Sequence, residues 1–214
     1  MGNELTGVIF FDLDGTLTDP KAGIVGSIRF ALGRLGLECP HDDDLTWCIG
    51  PPLLDSFSKL VGKTLAPVAL KHYRERFDEL GWRENEPYIG IVEALDQLLS
   101  QRFELYVATS KPRVFADRIV RHFQLGRYFS EIFGAELDGT RSDKGDLLRF
   151  ALSRVRPATT AIMVGDRMHD VIGAKRNGMR AVGVTYGYGS REELEQAGAD
   201  AFAGSPEQIV SNIV

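Results

Sequence analysis

Four stretches of the chain carry side chains that could do chemistry together. Asp12-Leu13-Asp14 sets two carboxylates two residues apart, which in an extended segment puts both on the same side. Gly15 follows and lets the backbone turn sharply. Carboxylates this close repel unless a cation or a shared proton intervenes. Asp166 and Asp170 form a second like-charged pair, spaced four apart at the expected start of a helix and so projecting from one face. Thr109-Ser110 and Thr185 add hydroxyls where other apolar runs end. A hard divalent cation with oxygen ligands would relieve both acid pairs, and few carboxylates with several waters suit Mg2+. Taken alone, Asp166 reads as a helix N-cap and Asp12 as a solvated strand end; what marks a site is their arrival together at one edge.

The elements that must position these residues follow from hydrophobic period. Short continuous apolar runs at 7–12, 105–110, 161–166 and 181–185 end in small, acidic or hydroxyl residues, as parallel strands buried on both faces do. Between them lie helical stripes: Ile91, Ala94, Leu95, Leu98 and Leu99, then Ala116, Ile119, Val120 and Phe123, then Leu148, Ala151, Leu152 and Val155. Alternating βα units predict an α/β fold with a doubly wound, Rossmann-like parallel sheet. In such sheets ligands bind outside the carboxyl ends of the strands, where the acids and hydroxyls stand.

One region breaks this rhythm. It offers only helical stripes, Ile24, Ile28, Leu32 and Leu35, then Leu70, Tyr73, Phe77 and Leu80, between the proline-marked turns Asp19-Pro20 and Glu86-Pro87. This predicts an inserted all-helical cap domain over residues 19–86, with residues 1–18 and 87–214 forming the α/β core.

The 214 residues carry 43% hydrophobic and 26% charged side chains and a net charge of -5, which excludes disordered, collagen-like and coiled-coil classes. The acidic balance points away from nucleic acid and anionic membranes. Cys39 and Cys48 are too few for a disulfide framework or a cysteine zinc site. The apolar run before Asp12 falls short of a signal core or a span, so a cytoplasmic location is expected. Met1-Gly2-Asn3-Glu4-Leu5-Thr6 fits the short myristoylation pattern but lies almost against the first strand, and is not read as an anchor.

Phe11-Asp12-Leu13-Asp14-Gly15-Thr16-Leu17-Thr18-Asp19 resembles the first motif of the haloacid dehalogenase-like hydrolase superfamily. Val107-Ala108-Thr109-Ser110-Lys111 resembles the second, Lys144 within Ser142-Asp143-Lys144-Gly145 the third, and Gly165-Asp166-Arg167-Met168-His169-Asp170 the fourth, in order across most of the chain. The helical insertion matches the cap of that superfamily's phosphoglycolate-phosphatase-like and β-phosphoglucomutase-like members.

This resemblance implies a phosphatase. Asp12 would be the nucleophile, taking the phosphoryl group as an aspartyl phosphate, and Asp14 would protonate the leaving alcohol and then deprotonate water. Mg2+ would be held by Asp12, the backbone carbonyl of Asp14, Asp166 and Asp170, the last directly or through water. The Thr109 hydroxyl and the Ser110 N–H would grip phosphoryl oxygens, and Lys144 would neutralise charge on them, with Lys111 a second cation.

Asp14 argues against haloacid dehalogenation, whose enzymes lack an acid at that point. No counterpart of the β-phosphoglucomutase arginine pattern is evident, so hydrolysis is favoured over a phosphomutase or phosphotransferase. Gly50-Pro51-Pro52-Leu53 resembles the specificity loop of phosphoglycolate phosphatases and 5'-nucleotidase-like phosphatases. The expected substrate is a small phosphate ester, phosphoglycolate or a nucleoside 5'-monophosphate. Lys21, Gly50 and Pro51 are the expected specificity residues, Lys21 as a cation for a substrate carboxylate. Arg167 and His169 lean toward the nucleotidase-like group. A receiver-type phosphoacceptor is shorter and orders its acids differently, and a non-catalytic module would not need both Asp12 and Asp14. A monomer or homodimer is expected. Asp42-Asp43-Asp44 reads as a helix-start charge cluster, and Ser190 as a helix N-cap.

Overall fold

Val8, Ile9, Phe10 and Phe11 are buried without a break, because the strand they form is covered on both faces. The computed structural model describes residues 6–156 and 160–214, so most of the Met1–Thr6 stretch lies outside it. In chain order the strands are β1 (Gly7–Phe11), β2 (Thr18–Asp19), β3 (Glu86–Pro87), β4 (Phe103–Pro112), β5 (Glu131–Ala135), β6 (Ala161–Gly165), β7 (Arg180–Val184) and β8 (Ala201–Ala203). Six form one sheet in the order β5, β4, β1, β6, β7, β8, and every neighbouring pair is parallel.

The helices are α1 (Lys21–Arg34), α2 (Leu53–Arg76), α3 (Ile91–Ser100), α4 (Arg113–His122), α5 (Lys144–Leu152), α6 (Met168–Arg176), α7 (Arg191–Ala197) and α8 (Pro206–Ile213). Strand alternation sorts the core into two layers. Ile9, Phe11, Leu105, Val107, Ile162 and Val164 face α3, α4 and α8, whereas Val8, Phe10, Tyr106 and Met163 face α5, α6 and α7. The doubly wound sheet is as the sequence predicts. β5 and β8 escape the apolar-run criterion because both lie at sheet edges, β5 opening on a half-buried glutamate and β8 only three residues long.

Between β1 and α3 the chain makes the helical insert. The antiparallel ribbon of β2 and β3 pairs Thr18 with Pro87 and Asp19 with Glu86 where the chain leaves the core and returns. Arg76 grips both oxygens of Glu84 at 2.8 and 3.0 Å and the Ser27 hydroxyl at 3.1 Å, tying α2 to α1. α2 is not one straight helix, because Gly62 sits at φ 80° and ψ 157° and breaks it. Asp42, Asp43 and Asp44 occupy the first turn of a 3-10 helix (Asp42–Cys48), with Lys21 on Asp43 and Arg29 on Asp42.

An aromatic row joins insert to core. Ring centroids step from Phe57 to Tyr73 at 6.0 Å, to Phe77 at 5.3 Å, and on to Phe115 of α4 at 5.1 Å. Phe77 opens a π-helical turn (Phe77–Gly81) and is fully buried, while Leu80, of the same predicted stripe, is 45% exposed. Among the described residues no helix is long and apolar enough to cross a membrane.

Phe77→Ala should therefore lower unfolding stability by about 3–5 kcal/mol in urea titrations, since the cavity opens where two layers meet. Leu80→Ala should change it by less than about 0.5 kcal/mol. Equal effects would contradict the placement of Phe77 as the joint.

Candidate active site

β1 and β6 are neighbours, yet the chain reaches β4 and β5 on one side of β1 before crossing to β6, β7 and β8 on the other. That switch point leaves a crevice at the carboxyl ends of the strands. Asp12 follows β1 and its N–H donates to the Val164 carbonyl at 2.9 Å, continuing the ladder one residue past the strand. The chain then doubles back, with the Leu13 carbonyl accepting from the N–H groups of Thr16, Leu17 and Thr18 at 3.3, 3.0 and 3.0 Å. Gly15 makes this turn at φ 81°, and a Cβ there would lie 2.2 Å from Asp166 Oδ2. Only glycine serves both the turn and the approach.

Asp166 is placed differently from expectation. α6 starts at Met168 with Arg167 at its N-cap, so Asp166 belongs to the connecting loop and not to the helix. The pair therefore does not share a helix face. Asp170, in the first turn, accepts the Arg167 N–H at 3.1 Å, and Asp166 accepts the Tyr188 N–H at 2.8 Å. Even so, one ligand oxygen each from Asp12, Asp166 and Asp170 lie within 4.8 Å of one another, all buried.

Two lysines enter this cluster. Lys144, at the start of α5, reaches Asp12 at 3.0 Å and Asp170 at 2.7 Å and donates to the Ala108 carbonyl at 2.8 Å. Lys111 reaches Asp14 at 2.5 Å and lies over the Phe77 ring. Lys111, expected only as a second cation, stands as close to the acids as Lys144 does. Strand parity is the signal for it: Thr109 and Lys111 are two residues apart and share a side, and the Lys111 N–H donates to Thr109 Oγ1 at 3.2 Å. Ser110 between them spends its hydroxyl on the Ser142 carbonyl at 3.0 Å.

Burial sets the protonation of these groups. It pushes the Asp170 carboxyl up to about 6, against the pull of Lys144. It raises Asp14 above the usual aspartate value despite Lys111, with the charge of Asp12 adding to the rise. Asp166 is raised well above that value by burial, reinforced by Asp170 and Asp12. Burial alone would lower the Lys144 ammonium, but Asp12 and Asp170 outweigh it and hold it above the ordinary lysine value. His169 has its pKa lowered by burial and by Arg167.

Four buried carboxylates against two ammonium groups leave two negative charges uncompensated when all are ionised. Asp166 Oδ1, Asp12 Oδ1 and Asp170 Oδ1 are buried without a hydrogen-bond donor, although Lys144 stands at ion-pair distance from the last two. Charge, donor type and spacing all fit a divalent cation with oxygen ligands.

A cavity of about 230 Å³ opens beside Asp14, Ser110 and Lys111. The insert supplies Gly50, Pro51, Leu53, Tyr73, Arg74 and Phe77 to its wall, and the core supplies Phe115 and Leu137. Lys21 is not on this wall. Its ammonium pairs with Asp43 at 2.6 Å, and it lines a separate polar groove with Asp19, Asp42, Arg83 and Asn85.

The haloacid dehalogenase-like hydrolase family matches residues 9–184 of the chain. A 5'-nucleotidase of Pseudomonas aeruginosa is 51% identical over 189 residues, covering 87% of this chain and 86% of its own length. Tyrosine-protein kinase PtkA of Mycobacterium tuberculosis is 40% identical over 190 residues, covering 88% of this chain but 65% of that protein. The crystal structure of a predicted phosphatase from Clostridium acetobutylicum superposes with a TM-score of 0.93 at 41% identity, covering 98% of this chain and 99% of its own.

The pKa shifts fix the sign of a pH effect. The folded chain holds the Asp170 proton more tightly than the unfolded chain, so without a cation its contribution falls as pH rises from 3.8 to about 6. Asp14 and Asp166 act in the same direction. A divalent cation needs these carboxylates ionised, so Mg2+ should raise Tm more at about pH 7.5 than at about pH 5 in thermal scans referenced to EDTA. Equal stabilisation at both would place the cation elsewhere.

Proposed function

Since this chain belongs to the haloacid dehalogenase-like hydrolase family and is a phosphatase, we propose that it hydrolyses a small phosphomonoester, a nucleoside 5'-monophosphate first among candidates, with Mg2+ as cofactor. The observation that supports this best is the burial of Asp12 and Asp14 side by side, each with its own ammonium partner. Mg2+ held by Asp12, Asp166 and Asp170, with the Asp14 backbone carbonyl, supplies positive charge beside the phosphoryl oxygens.

The chain's own residues then divide the work. A carboxylate oxygen of Asp12 attacks phosphorus, the bond to the leaving oxygen breaks, and Asp14 gives that oxygen its proton. Water then attacks the aspartyl phosphate, Asp14 takes the water's proton, and inorganic phosphate leaves with Asp12 restored. Burial raises Asp14 above the ordinary aspartate value, the direction that favours a group that gives and takes back a proton. Thr109, the Ser110 N–H and Lys144 orient the phosphoryl oxygens and offset their charge.

Residues 19–86 act as the cap in this reading, and residues 1–18 and 87–214 as the core. Phosphoryl contacts are common to every substrate, so discrimination falls to the cavity wall. Tyr73, Phe77, Phe115 and Leu53 offer the aromatic and apolar surface a nucleoside needs, beside Gly50 and Pro51. Lys111 and Arg74 are the cavity's cations for an anionic leaving group such as glycolate, a place Lys21 does not reach. Likeness to PtkA supports a second reading, in which an alcohol accepts the phosphoryl group in place of water.

Asp12→Asn should abolish turnover while preserving the fold, and Asp14→Asn should harm alkyl phosphates more than p-nitrophenyl phosphate, whose leaving group needs no acid. EDTA should stop catalysis, Mg2+ restore it and Ca2+ restore it poorly. Near-wild-type turnover by Asp12→Asn would remove the covalent mechanism.

In a substrate screen, kcat/KM for the best nucleoside 5'-monophosphate should exceed that for phosphoglycolate by about tenfold or more. The reverse order would overturn the substrate assignment. Transfer of phosphate to an added alcohol at the expense of free phosphate would favour the second reading.

A further inference from the structure

Arg167 lies in sequence between two acids of the cluster, Asp166 and Asp170, yet its side chain leaves the core for the insert. Its Nη1 donates to the Ile49 carbonyl, in the turn that leads into α2. Its Nε donates to Glu193 Oε1 at 2.9 Å, and the same oxygen accepts the Met168 N–H at 2.8 Å. That N–H is one of the first-turn donors of α6 that no helical carbonyl can satisfy.

The next residue along the insert is shaped for this contact. Gly50 holds φ 101°, and a Cβ on it would come within 2.7 Å of Arg167 Cγ. The stem of the arginine lies against bare backbone, and its side chain is 11% exposed. A guanidinium so far withdrawn from water needs its acceptors, and one of them belongs to the insert.

We propose that Arg167 is a positioning residue that clasps the Gly50 turn to the 166–170 loop, so that seating of the insert and cation affinity at Asp166 and Asp170 are coupled. This rests on the reading of those two aspartates as cation ligands. The Arg167 backbone N–H donates to Asp170 Oδ2 at 3.1 Å, so rotation of the residue to follow a departing insert moves that carboxylate directly. Tyr188 and Glu193 hold the loop from the core side, and Ile49 is the hold that the insert alone provides. By reciprocity, a cation that favours the seated loop favours the seated insert by the same factor. Substrate entry and cation retention then become opposed, since opening the insert frees Arg167 and loosens the acids.

The test is a double-mutant cycle read without turnover. Mn2+ binding is followed by electron paramagnetic resonance, with Mg2+ as competitor, for wild type, Arg167→Ala, Gly50→Ala and the double variant. Each single change should raise the Mn2+ Kd about tenfold, the effect of losing a partner that orients a metal ligand. The double variant should be no worse than either single, because both break one contact. Arg167→Lys, keeping a donor, should recover part of the affinity. If circular dichroism shows Arg167→Ala to be unfolded, Arg167→Lys replaces it in the cycle.

Wild-type affinity in Gly50→Ala, or losses that multiply in the double variant, would overturn the clasp. Failure of the underlying reading looks different: Asp166→Asn would then bind Mn2+ as tightly as wild type.

Discussion

Four carboxylates gathered out of water at one strand edge are the constraint on which the other features depend. Asp12, Asp14, Asp166 and Asp170 are each less than a tenth exposed. Desolvation costs several kcal/mol per ion even after relaxation, and their mutual repulsion adds to it. Lys144 and Lys111 compensate half of that charge. Backbone N–H groups of Tyr188 and Arg167 supply further donors. The rest stays unrelieved in the chain itself, and the raised pKa values of Asp14, Asp166 and Asp170 record it. A site held in this state would gain from a bound cation what it lost by burial.

The sheet makes such a gathering possible. Parallel strands deliver all their carboxyl ends to one edge, and the crossover order puts β1 beside β6 with their helices on opposite faces. Asp12 and Asp166 thus emerge from adjacent strands into a gap that no helix fills. The insert leaves and rejoins the core through the ribbon of β2 and β3, which follows Asp14 by only a few residues. Its helices consequently overhang the same edge. Strand ends that rigid packing fixes carry the acids, and the cavity wall is completed by a separate layer joined to them by the Phe77–Phe115 contact, the β ribbon and a few polar links.

How much of this is legible in the sequence varies with the range of the interaction. Asp12, Asp14 and Gly15 are readable because spacing of two and one tight turn are local facts. The helical insert is readable because a helical period replaces an alternation of apolar runs and helices. Asp166 misleads, because spacing of four suggests a shared helix, whereas α6 begins only after Arg167. Lys21 misleads for another reason. Its closeness to the linker says nothing of direction, and the side chain turns to Asp43, whose position depends on how the 3-10 helix folds back. Lys111 is announced only by its parity with Thr109, whereas Arg74 and the Arg167–Ile49 contact join residues far apart in the chain, and no local pattern announces them.

The two lysines also set neighbouring aspartates in different surroundings. Lys144 is enclosed on three sides, donating to the Ala108 carbonyl and standing at ion-pair distance from Asp12 and Asp170. A planar guanidinium could not satisfy acceptors arranged around a point in this way. Lys144 holds Asp12 to Asp170. Lys111 holds Asp14 from the opposite direction, against the face of Phe77 in the insert. Asp14 is therefore drawn toward the cavity, while Asp12 is drawn toward Asp170. Two carboxylates that the sequence places on the same side of one segment are thus held by cations that arrive from different parts of the fold.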